Sequence, residues 1–158
     1  MAKALVTYYS ESGNTEKMAE KIAQTIKEEG VETALKKIDH VKADELTGYD
    51  AIVIGSPTYY GTMAWQVKRL LDKSVSFHGR LKGKVGGAFS SAANIGGGNE
   101  TTITDIHNAM LIHGIILQGE PQGDHYGPVA IGRPDARALK CCVRHGKNIA
   151  ALVKRLHG

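Results

Sequence analysis

The sequence predicts an α/β fold: an open parallel sheet with helices on both faces. Three observations carry that expectation. Short apolar runs of β-formers alternate from end to end with segments whose apolar residues recur at helical spacing. The runs lack polar alternation, as strands buried on both faces do. Polar, glycine-bearing loops follow the strand signals, and these alternations leave no internal repeat, linker or low-complexity tract. At 158 residues the chain is expected to form one domain, residues 1–158.

Leu5 to Tyr9 reads as the first strand and stops at Ser10-Glu11-Ser12-Gly13-Asn14-Thr15. Met18, Ile22 and Ile26 then mark a helix that Gly30 ends. Val31 to Ile38, partly polar, is a second strand at an edge, and a turn around Asp44 to Gly48 leads to a third at Ala51 to Ile54. Gly55 to Thr62 reads as a loop, followed by a helix whose face is Ala64, Val67, Leu71 and Val75. Val85 to Phe89 is the fourth strand, followed by a loop that opens at Ser90. Ile103, Ile106 and Met110 share one face of the next helix, which ends before Gly114. The fifth strand starts at Ile115 to Leu117 and resumes at Val129 to Ile131. A last helix carries Leu139, Cys142, Val143, Ile149, Val153 and Leu156.

Composition narrows the function. The net charge is +4, but the basic residues are scattered over helix faces (Lys17, Lys21, Lys27, Lys147, Lys154), which argues against a nucleic-acid patch. No apolar run is long enough for a transmembrane helix, and the N-terminus reads straight into a strand without a signal-peptide pattern. Adjacent cysteines, Cys141 and Cys142, make a poor disulfide and point to a reducing cytoplasm. His40, His78, His107, His125 and His145 show no metal-ligand spacing, so no metal site is expected.

In doubly wound sheets ligands bind beyond the carboxyl ends of the strands. The first loop joins hydroxyls, an amide and a glycine to a helix N-terminus, which suits an anion; it has no lysine or arginine, so backbone amides and hydroxyls would hold a phosphate. A role for Ser12 or Asn14 as a plain helix cap stays open beside it. The loop is not GxGxxG, no GxxxxGK[ST] occurs, and Gly79 to Lys84 has the wrong spacing, so ATP-dependent phosphoryl transfer is unsupported. The third loop, Ser56-Pro57-Thr58-Tyr59-Tyr60-Gly61-Thr62-Met63-Ala64-Trp65, offers aromatic faces to a planar ligand, although Trp65 also fits the core as the start of a helix. The fourth, Ser90 to Glu100, holds three successive glycines that permit close backbone approach. A phosphate-binding receiver domain of the same shape would need an acidic pair and an aspartate at strand ends, and Asp50 begins its strand instead.

With these loops the chain resembles the flavodoxin family from end to end. Pro57 to Met63, Phe89 to Glu100, His113-Gly114 and Tyr126-Gly127 resemble most the WrbA-type NAD(P)H:quinone oxidoreductases. The resemblance implies a flavodoxin-like three-layer sandwich with five parallel strands in the order 2-1-3-4-5, and one bound FMN. It places Ser10, Glu11, Ser12, Gly13, Asn14 and Thr15 around the FMN phosphate. Pro57, Thr58, Tyr59, Tyr60 and Gly61 would border the isoalloxazine, and Ser91, Ala92, Ala93, Asn94, Ile95, Gly96 and Gly97 would wrap its polar edge. His113 would lie near the flavin from the following strand, its alternative role being a helix C-cap. Tyr126 sits in the Gln118 to Pro128 loop, which would cover the flavin or touch a neighbouring subunit of a homodimer.

The chain departs from WrbA proteins at Ser12, where they carry an aromatic residue that meets the nicotinamide, and in its short connections Asp39 to Tyr49 and Gln118 to Pro128, where they carry long insertions. No tryptophan stands near Phe77, where they have one lining the substrate pocket. The flavin would carry the chemistry, and no residue is assigned a catalytic role. The expected function is therefore a flavodoxin-type electron carrier that serves redox partner proteins. The alternative is an enzyme that takes hydride from NAD(P)H and reduces a quinone.

Overall fold

The computed structural model describes residues 1–158. In chain order it runs β1 (Lys3–Tyr8), α1 (Asn14–Glu28), β2 (Glu32–Lys37), two 3-10 turns (Ile38–His40, Ala43–Gly48), β3 (Ala51–Tyr59) and β4 (Thr62–Met63). It continues with α2 (Trp65–Lys73), a 3-10 turn (Ser74–Phe77), β5 (Val85–Ala92), α3 (Asn99–Ile112), β6 (Ile116–Leu117), β7 (Val129–Ile131) and α4 (Ala136–His157). The sheet order is β2-β1-β3-β5-β6, with β4 folded back on β3 and β7 on β5. The fold is thus the flavodoxin-like one expected, with seven strands in place of five. β6 and β7 share the fifth position: β6 pairs with the start of β5 at Val85 and Gly86, and β7 with its end at Ser90 to Ala92.

Alternation of side chains across the sheet feeds two cores. Ala4, Val6, Tyr8, Val53 and Phe89 point to the face covered by α1 and α4. Leu5, Ile52, Ile54 and Ala88 point to the other, covered by α2, α3 and the 3-10 turns. Each fully buried Leu or Ile contributes roughly 1.5–3 kcal/mol, so both faces are needed to hold the sheet.

Three sequence expectations are corrected. β3 does not stop at Ile54 but runs to Tyr59, turns through Tyr60 and Gly61, and returns as β4, so most of the expected loop is a hairpin. β5 likewise continues through Ser90, Ser91 and Ala92, so the glycine-rich loop begins at Ala93. The second helix ends at Lys73 and buries Val67 and Leu70; Val75, placed in a 3-10 turn, is 70% exposed.

α4 presents His145 to the middle of β5. Its Nε2 is enclosed without a partner and stands where a Cβ on Gly87 would come within 2.5 Å. Burial, and then the nearby His107, lower its pKa to about 4, against 6.5 when unfolded. Between those values the unfolded chain holds the proton more tightly, so stability is full above pH 6.5 and falls as pH drops towards 4. At pH 4.5 this one group should remove about 2 kcal/mol. Urea unfolding at pH 7 and pH 4.5 should show that loss in the wild type and a smaller one in His145→Gln; equal losses would clear His145 of any part in acid sensitivity.

Candidate functional site

The carboxyl ends of β1, β3 and β5 bring three stretches to one edge of the sheet. The first is organised by Ser10, whose Oγ accepts from the amides of Gly13 (3.1 Å) and Glu16 (3.3 Å). Gly13, in the left-handed region, is the N-cap of α1, and neither Ser12 nor Asn14 makes a side-chain cap bond. The amides of Asn14 and Thr15 carry no backbone partner. At the positive end of a 15-residue helix these free donors form an anion cradle without a cationic side chain. Glu11 turns its carboxylate to the Tyr9 hydroxyl, which donates to it at 2.6 Å.

The second stretch is the β3–β4 hairpin. Tyr59 pairs with Thr62 across a two-residue turn, with Tyr60 at φ 49° and Gly61 at φ 79°. Two positive φ values make a type I′ turn, usually filled by Asn-Gly. Tyr60 is the one non-glycine residue of the chain in this region, and its side chain is fully exposed. Holding a tyrosine there costs about 1–3 kcal/mol, and strain of this kind concentrates at ligand sites. Tyr59 is half-exposed and meets Tyr9 edge-on, with ring centroids 6.3 Å apart. Trp65 begins α2 but does not enter the core: it is 63% exposed, with the Arg69 guanidinium 4.9 Å from its ring centroid.

The third stretch follows β5. Ala93, Asn94, Ile95 and Gly96 form an exposed loop closed by a Gly97 amide to Asn94 carbonyl bond of 3.1 Å. Ser91 and Ala92 precede it inside the strand, both buried.

A buried network of hydroxyls locks the stretches together. Thr15 Oγ1 and Ser91 Oγ lie 2.9 Å apart, tying α1 to β5. Thr58 Oγ1 accepts from Thr102 Oγ1 (2.9 Å), lies 3.0 Å from Ser90 Oγ and donates to Asn99 Oδ1 (3.2 Å). Pro57 reaches this network through Ser56, whose Oγ donates to the Pro57 carbonyl and accepts from the Ala64 amide, both at 2.8 Å. The hairpin tip is held by Thr101, which donates to the Gly61 carbonyl. Ser90, Asn99, Thr101 and Thr102 were not among the expected site residues. Their signal was available: all are hydroxyl or amide side chains flanking the glycine loop.

The rim carries little fixed charge. Burial raises the Tyr59 phenol, and the Glu11 bond raises that of Tyr9, so both keep their protons. Tyr8, raised chiefly by burial, donates to Glu16 at 2.5 Å, and that bond holds the Glu16 carboxyl below its usual range. Neutral donors, free amides and exposed aromatic rings suit a ligand with an anionic tail and a flat ring system, which is the chemistry of a flavin mononucleotide.

One expected residue lies elsewhere. His113 is not at this edge: it is the C-cap of α3, 14 residues and about 20 Å along the helix from Asn99. Helices here run antiparallel to the strands, so a helix C-terminus sits at the strands' amino ends, away from the loops. Tyr126 is half-exposed on the 118–128 excursion, where with Glu100, Ile103 and His125 it lines a cleft beside the first turns of α3, at the same end of that helix as Asn99 and Thr102.

The comparisons agree with this architecture. A family model described as a flavodoxin domain matches residues 5–94, more than half of the chain. A flavodoxin from the domain Archaea is 32% identical, covering 96% of this chain and 99% of its own, with a TM-score of 0.80. A WrbA-like flavodoxin from Agrobacterium tumefaciens is 25% identical over 99% of both chains, at a TM-score of 0.83. Flavodoxin 2 from Bacillus cereus is 25% identical over 96% of this chain and 99% of its own, at 0.82. The chain belongs to the flavodoxin family.

Proposed function

We propose that residues 1–158 act as one FMN-binding domain and an electron carrier of the flavodoxin type, passing electrons between redox partner proteins. The observation that carries this reading is the cation-free phosphate cradle at the start of α1, set beside the exposed Tyr59 and Tyr60 on one sheet edge. In it the free amides of Asn14 and Thr15, with the Ser10, Ser12 and Thr15 hydroxyls around them, hold the phosphate. Pro57 to Gly61 carry the face of the ring system, and Ser91 to Gly97 its polar edge. FMN supplies the one- and two-electron chemistry; the protein binds it, limits its contact with water and tunes its potential. The short connections Asp39 to Tyr49 and Gln118 to Pro128 favour a small carrier. Both cysteines are free thiols, in keeping with a reducing cytoplasm.

A second reading is a WrbA-like NAD(P)H:quinone oxidoreductase, working as a homodimer. Its support is the 25% identity to the Agrobacterium tumefaciens protein over nearly the whole chain, together with the Pro57 to Met63 motif. An anaerobic titration of the FMN-loaded protein separates the two. A carrier keeps its flavin oxidised in NADH and NADPH yet is reduced by a reductase protein. Rapid bleaching by either nucleotide would overturn the carrier reading, and failure to hold FMN would overturn both.

A further inference from the structure

The basic character of the chain is not spread evenly over the molecule. α4 holds six of the 20 Lys and Arg residues, and no Asp or Glu in its 22 residues. Outside it, 14 Lys and Arg face 16 Asp and Glu, a balance of −2, so the whole positive excess belongs to this helix. At 3.6 residues per turn, Arg137, Lys140, Arg144, Lys147, Lys154 and Arg155 fall within roughly 100° of its circumference, along about 27 Å of its length. The opposite side buries Cys142, Ile149 and Val153 against the sheet and α1. On α4, cations that look scattered along the sequence form one stripe on the outside of the molecule.

Neighbouring groups decide what the stripe can meet. Arg137 is neutralised by Asp124 at 2.8 Å, and Lys154 is drawn to Glu29. Arg144 donates to the Gln122 carbonyl, a neutral partner that leaves its charge in place. Glu120, beside it, is engaged by the Gln122 amide and by Asn148. Lys140, Lys147 and Arg155 are exposed and make no ion pair. Leu156 is the one large apolar side chain of α4 that is exposed, so this face offers nothing to insert into lipid. Arg137 and Arg144, which would grip a phosphate in two-pronged fashion, are turned to the 118–128 excursion, and its acids Glu120 and Asp124 border the stripe; both facts disfavour nucleic acid. What remains is a row of cations acting at range, which suits the carboxylates of another protein. The stripe also begins next to the candidate flavin edge: β7 ends at Ile131 opposite Ala92, and Asp135 then caps α4. A partner lying along it reaches that edge.

We infer that the outer face of α4 is a docking surface for an acidic partner protein, whose carboxylates meet Lys140, Arg144, Lys147 and Arg155. That this partner exchanges electrons rests on the carrier reading; the docking itself needs no flavin. The test uses the full chain, with and without FMN, and a dye-labelled polyglutamate peptide as the probe for the partner's carboxylates, followed by fluorescence anisotropy. The peptide should bind at low salt and weaken at least tenfold as salt rises to the physiological level. Lys140→Glu/Lys147→Glu should weaken it at least tenfold at low salt. Lys42→Glu/Lys73→Glu changes the net charge by the same amount on the opposite face of the sheet, and should weaken it less than threefold. No binding of the peptide, or equal losses in the two variants, would overturn the assignment. A DNA duplex or phosphatidylserine vesicles bound more tightly than the peptide, with the same dependence on Lys140 and Lys147, would overturn it too. A chain that holds no FMN but keeps the contrast between the variants would sink the carrier reading and sustain the docking surface.

Discussion

Gly55→Ala is expected to destabilise the protein by about 3 kcal/mol, with Gly55→Val worse. A Cβ at this position would lie 2.2 Å from two ring carbons of Phe89, far inside contact distance. Phe89 stands opposite Gly55 on the neighbouring strand, is completely buried, and fills the face covered by α1 and α4. The ring has nowhere to go, because interiors are packed close to crystal density. Gly55 also accepts the Tyr9 amide at 3.1 Å, so a shift in β3 would be felt at the first loop. Chemical unfolding measures the loss. The decisive comparison is the double variant Gly55→Ala/Phe89→Leu, which should be more stable than Gly55→Ala alone although Phe89→Leu by itself destabilises. If the two changes simply add, the ring is not the cause.

Gly98→Val is expected to lower FMN affinity on the order of a hundredfold while costing only about 2 kcal/mol of stability. Gly98 precedes α3 at φ 113°, and a Cβ there would come within 2.8 Å of Gly61 Cα at the tip of the hairpin. It would also crowd Thr58 Cγ2 at 3.2 Å, the residue at the centre of the hydroxyl network. The substitution thus drives the hairpin away from α3, and with it the tyrosines proposed to border the ring. Quenching of FMN fluorescence on titration with apoprotein reads the affinity. Gly96→Ala is the matched control: φ is 72° and a Cβ would meet nothing within 4 Å, so backbone strain is present without collision. Near-equal losses in the two variants would show that strain alone, not the contact with Gly61, controls the site.

The strands were legible wherever apolar runs marked them and illegible where polar residues continued them. Beyond Ile54, β3 carries Ser56, which pairs with Ser90 of β5, and Thr58, which pairs with Met63 of β4 and hydrogen-bonds to Ser90 and to Asn99 and Thr102 of α3. Pro57 reads as a strand breaker, yet it is tolerated: the β1 ladder ends at the Tyr8–Gly55 pair, so at Pro57 that side of β3 has no strand waiting for an N–H. The split fifth strand was legible because both halves are apolar. His113 was misplaced by a motif resemblance, although the direction of α3 alone assigns it to the opposite end of the sheet. The exposure of Val75 left no trace in the pattern, because Leu71 and Val75 keep helical spacing while the chain tightens into a 3-10 turn after Lys73.

The interrupted fifth strand has a bearing on how such a chain can grow. β6 and β7 grip the two ends of β5, and the excursion from residues 118 to 128 leaves and re-enters at the same sheet edge. It is pinned from outside by Arg137 to Asp124, Arg144 to the Gln122 carbonyl, and Asn148 to Glu120. Additional residues spliced into its tip would break no ladder bond and displace neither core. The gap is a ready-made socket, where a lid, a partner-selecting arm or an oligomer contact can be installed with the electron-carrying frame left intact.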